Sequence, residues 1–125
     1  MEEEAKYQIS SLMNEGILEI VIAGELPKDD IEEAQLKIAG IISESGARNV
    51  PVDRRELGEP RMGIMENYFA VRSTPVQGLR VNVAVVDLPK HKEMGEFLET
   101  TAYNVNRSLK FFTDIDAARA WLAGK

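Results

Sequence analysis

One run constrains this chain more than any other. Residues 79–88 read Leu-Arg-Val-Asn-Val-Ala-Val-Val-Asp-Leu. Val81, Val83 and Val85 alternate with Arg80, Asn82 and Ala84, Val86 thickens the apolar end, and no Gly or Pro interrupts. A β-branched run of this kind is a largely buried strand. Asp87 and Pro89 close it. The segments on either side carry helical periodicity, so the strand belongs to repeated strand–helix units.

The rest of the chain fits around it. Residues 6–10 alternate weakly as a first strand, and Asn14-Glu15-Gly16 is a turn signal. Residues 17–22 form a clear second strand, close enough to pair with the first as a hairpin. A helix is expected from Asp29 or Asp30, with Ile31, Ala34, Ile38, Ile41 and Ile42 on one face and Gly46 as its stop. Residues 49–53 make a short third strand, which Pro51 should place at a bulge or an edge, because proline cannot donate to a ladder. A charged loop, 54–60, leads to a helix from Met62 or Ile64 to Val71, ended by Ser73-Thr74-Pro75. After the anchor strand, Met94, Phe97, Leu98, Thr101, Ala102 and Val105 mark another amphipathic helix. Residues 109–112 form a last strand, and Thr113 is the expected N-cap of a last helix with Asp116 in the capping-box position.

Hairpin, then alternating helices and strands, predicts one α/β domain over residues 1–125. Its sheet is mixed and mostly parallel, with about five strands, an antiparallel N-terminal strand and four helices. A chain of 125 residues buries enough surface for a core without staples. It contains no cysteine, so disulfides, thiol catalysis and cysteine metal sites are excluded. A net charge of −6 disfavours nucleic acid as a main partner. The acidic start lacks a signal-peptide pattern and no apolar run is long enough to span a bilayer, so a cytoplasmic protein without a membrane span is expected.

Chemistry-bearing motifs are sparse. There is no glycine-rich phosphate loop, no Walker pattern and no nucleophile elbow. His91, the single histidine, reads as a solvated loop residue between Lys90 and Lys92. Asp53 and Asp87 each end a strand and would meet at the carboxyl edge of a parallel sheet, where ligand sites gather. There they could share a proton or a cation, or cap their own turns. Arg54, Arg55 and Arg61 could hold an anion beside a helix N-terminus, or pair with Glu56, Glu59 and Glu66. Met62, Ile64, Met65, Tyr68, Phe69 and Val71 cover more than one face of their helix, leaving apolar surface for a partner or an oily ligand.

Three stretches resemble the STAS family of anti-sigma-factor antagonist domains, in its SpoIIAA-like branch of small bacterial proteins. They are 20–26 (Ile-Val-Ile-Ala-Gly-Glu-Leu), 52–55 (Val-Asp-Arg-Arg), and 94–98 (Met-Gly-Glu-Phe-Leu) with 105–107 and 111–122. The resemblance covers nearly the whole chain and implies the fold and a role in protein–protein signalling. The family's antagonists carry an Asp-Ser pair, followed shortly by Gly, whose serine is phosphorylated. Here Pro60-Arg61-Met62-Gly63 stands in that place, so the phosphoserine switch is not implied.

The expectation is therefore a non-enzymatic interaction domain, with no catalytic residue, metal or cofactor, that binds a protein partner. The surface would comprise Asp53, Arg54, Arg55, Arg61, Met62, Met65, Phe69 and Asp87. The alternative is a small anionic or lipid-like ligand held by the 53–71 loop and helix. A homodimer is possible in either case.

Overall fold

The computed structural model describes residues 6–59, 63, 67 and 81–125. Five strands, β1 (Tyr7–Asn14), β2 (Ile17–Gly24), β3 (Asn49–Asp53), β4 (Asn82–Val86) and β5 (Ser108–Phe112), form one sheet in chain order. β1 pairs antiparallel with β2, and every later neighbour is parallel. Three α-helices, rather than four, stand among the described residues: α1 (Ile31–Ser45), α2 (Lys92–Asn104) and α3 (Ile115–Ala123). The helix expected from Met62 or Ile64 to Val71 lies outside them. Within that span Asn67 is described; its N–H donates to the Gly63 carbonyl at helical spacing.

The first strand is longer than its weak alternation suggests, and it runs unbulged through all eight pairs. Glu15 (φ 52°) and Gly16 (φ 82°) make the turn into β2, with the positive φ values whose twist matches a tight hairpin. α1 follows a single 3-10 turn at Lys28–Asp30 and stops at Gly46, which is left-handed.

β3 corrects the expectation drawn from Pro51. It is the central strand, and Pro51 is fully buried. All five β3 residues pair with β4, whereas the ladder to β2 runs from Asn49 directly to Val52 without changing register. The missing proline donor falls in that gap, so neither bulge nor edge is needed. The last helix also starts differently: Asp114, not Thr113, is its N-cap, and its carboxylate accepts from the Asp116 N–H.

Strand parity sets the two layers. Leu18, Ile20 and Val50 pack with Ile42 beneath α1, and Val85 packs with Leu98 and Ala102 beneath α2. Val50 and Val52 lie opposite Val83 and Val85, so α1 and α2 share one face. Ala84 and Val86 point the other way, onto Ala118 and Leu122 of α3. The anchor strand is thus apolar on both sides because both are covered.

Candidate functional site

Strand order brings the ends of β2, β3, β4 and β5 to one edge. There the 54–59 loop folds down beside Gly24. Leu57 extends the parallel pairing by one bridge to Gly24, and the Gly58 N–H donates to the Gly24 carbonyl at 2.7 Å. Leu57 is buried, so this stretch is a loop pinned by a core residue rather than simply a charged connection. Gly24 holds φ 92°, and a Cβ there would strike the Lys6 carbonyl. Glycine is what allows the three backbones to meet.

The two aspartates reach this edge but not each other. Asp53 stands opposite Val86, on the α3 face. Its Oδ1 accepts from the N–H and Nε of Arg55, both at 3.0 Å, and its Oδ2 accepts from Nη2 at 2.8 Å. Burial pushes the Asp53 carboxyl up, but these hydrogen bonds outweigh it and hold the group below its ordinary value. Asp87, one residue past β4, lies on the α2 face. It is buried, its Oδ1 accepts from the Leu88 N–H at 2.8 Å, and its Oδ2 lies 3.9 Å from Arg54 Nε. Asp53 and Asp87 therefore stand on opposite faces of the sheet, each beside its own arginine. Each caps its own turn, as short carboxylates at strand ends do.

The arginines divide the same way. Arg54 turns to Asp87 under α2, and Arg55 clamps Asp53 beside α3. Arg61, Met62, Met65 and Phe69 lie outside the described residues.

Under α2 the edge encloses a cavity of about 40 Å³. Arg54, Asp87 and His91 supply its polar wall, and Met94, Leu98 and Phe111 its apolar one. Such a volume admits a water or two. His91 is not the solvated loop residue its lysine neighbours suggest, since its side chain is only 17% exposed. Its Nε2 is buried 3.2 Å from Glu59 Oε1, at an angle that makes no hydrogen bond, and Lys90 Nζ approaches the same oxygen at 3.5 Å. Sequence reasoning missed His91, Glu59 and Phe111 as neighbours of this edge. One signal was available: Gly95 interrupts an amphipathic helix, and a Cβ there would fall on the Phe111 ring.

Among the described residues no group of three or more histidines and carboxylates could hold a metal ion, and no helix is long and apolar enough to cross a membrane.

Comparison with solved structures places this geometry in a known architecture. An anti-sigma factor antagonist from Mycobacterium paratuberculosis superposes with a TM-score of 0.62 at 11% identity, covering 94% of both chains. An uncharacterized DUF3478-family protein with a SpoIIAA-like fold, from Shewanella loihica PV-4, superposes with a TM-score of 0.59 at 16% identity over 98% of both. The fold is SpoIIAA-like, as the sequence resemblance implies. No family model and no curated protein matches the sequence.

Proposed function

We propose that the chain is a non-enzymatic, cytoplasmic regulatory domain that binds a protein partner through the carboxyl edge of its parallel strands. The observation that carries this is the state of the edge. Asp53 is held by Arg55, Asp87 by Arg54 and the Leu88 N–H, and Glu59 faces Lys90 and His91. Carboxylates fixed by neighbouring cations are poorly placed for acid–base work and well placed to present a rigid charged surface. The likeness in fold to an anti-sigma factor antagonist supports the same reading. Met62, Met65 and Phe69 would add the apolar part of the surface and Arg61 a further cation, and binding would not depend on a phosphoserine.

Affinity capture from a bacterial lysate tests it, with Arg55→Glu and Phe69→Asp beside the wild type. A partner retained by the wild type and lost from both variants, with circular dichroism unchanged, is the expected result. A partner that binds all three equally would overturn the assignment of this surface.

The cavity favours a second reading, a small anionic ligand at Arg54. At about 40 Å³ it is too small for a lipid-like molecule unless α2 moves. Native mass spectrometry decides. A small mass retained under gentle conditions, lost on denaturation and absent from Arg54→Ala supports a ligand; a bare subunit mass removes the tight-binding form.

A further inference from the structure

We infer that two copies of this chain pair through the outer edge of β1, in antiparallel register about Ser11, with their α1 helices meeting on one face. This goes beyond the partner-binding reading and does not depend on it.

The two sheet edges differ. β5 has five residues, carries exposed Lys110 and follows Arg107, which are devices that discourage edge pairing. β1 has eight residues, no charge, no proline and no bulge, and among the described residues nothing pairs with its outer side. An undefended edge beside a defended one favours like pairing with like. That contact closes as a two-fold dimer instead of growing head to tail. In a chain of net charge −6, an uncharged strand is also where two copies repel least.

Parity narrows the register, and the apolar positions choose within it. A two-fold axis perpendicular to the sheet keeps each face continuous, so residues of like parity must meet. Centring on Ser11 sets Met13 of one copy opposite Ile9 of the other. Met13 is 45% exposed, whereas Ile9 already packs against the core beneath α1. The pairing extends that core across the axis, twice.

α1 supplies an independent observation. It lies over β1 and β2, and Glu33 and Lys37 reach out over Tyr7 of β1. Strands in a sheet are about 4.8 Å apart. A helix centred between β1 and β2 then lies about 5 Å from the axis, and two such helices about 10 Å apart. That is helix-packing distance.

The cysteine-free chain makes the test direct. Ser11→Cys would set two thiols across the axis at a separation a disulfide can span. Mild oxidation should give a covalent dimer on a denaturing gel, whereas Gln8→Cys should not. Sedimentation equilibrium of the wild type should show a dimer, and Met13→Lys should weaken association at least tenfold. Met13 is half-exposed, so folding should survive, which circular dichroism verifies. A wild type that stays monomeric at its highest soluble concentration overturns the inference. So does a dimer indifferent to Met13→Lys, or one that Ser11→Cys does not trap.

Discussion

Asp53 on the α3 face and Arg54 on the α2 face are adjacent in the chain yet serve separate ion pairs. The division makes each pair independently testable. Arg55 holds Asp53 below its ordinary value of 3.8, so the ionised form is favoured by folding. A group depressed in this way stabilises above its unfolded pKa and loses that contribution as the pH falls through its folded one. Asp53→Asn should therefore cost about 1 kcal/mol at pH 7, reduced by the partial exposure of Arg55, and much less near pH 2. Urea titrations at both pH values read the difference, and an equal cost at both would refute the ionic account. The parity separating Asp53 from Asp87 could not be read from the sequence. Both end apolar runs, and only the register of β3 against β4 shows that Asp53 lies opposite Val86 while Asp87 falls one residue beyond.

At the scale of elements, legibility followed burial on both faces. β4 was plain because Val81, Val83, Val85 and Val86 carry a strong β-branched pattern. β1 was weak because its polar residues face water at an edge. Pro51 misled because local chemistry argues for an edge, whereas the ladder gap that accommodates proline depends on β2, thirty residues away in the chain. Leu57 hid inside a charged stretch for a related reason: one apolar residue has no periodicity. It should matter nonetheless. Leu57→Ala should cost about 2–4 kcal/mol. In hydrogen exchange it should also release the Gly24 and Gly58 amides, whose bonds run to the Glu56 and Gly24 carbonyls, before the rest of the sheet. Unchanged protection there would mean that the loop is held by its ion pairs instead. Gly95 makes the matching case on α2. Gly95→Ala should lower stability by about 1–3 kcal/mol by driving a methyl into Phe111. Adding Phe111→Leu should return part of that loss, a non-additivity expected only of residues in contact.

At the scale of the molecule, the three buried clusters lie in two layers on opposite faces of one sheet. β3 and β4 belong to both layers: Val50 and Val85 face α1 and α2, while Pro51, Ala84 and Val86 face the opposite way, where α3 packs. Losing either layer would expose the reverse side of the same strands, so the layers should unfold together. The chain offers a probe on one side alone, since its single tryptophan, Trp121, packs beside α3's cluster and 5.8 Å from the Phe112 ring. Ile20 is fully buried in the opposite layer. Ile20→Ala should cost about 2–5 kcal/mol. In a cooperative molecule the Trp121 fluorescence transition should shift by as much as the far-ultraviolet dichroism, although the substitution lies across the sheet. A fluorescence midpoint that stays in place while the dichroism moves would show that the α3 layer folds on its own. The carboxyl edge, built from loops of both layers, would then have no single rigid frame to present to a partner.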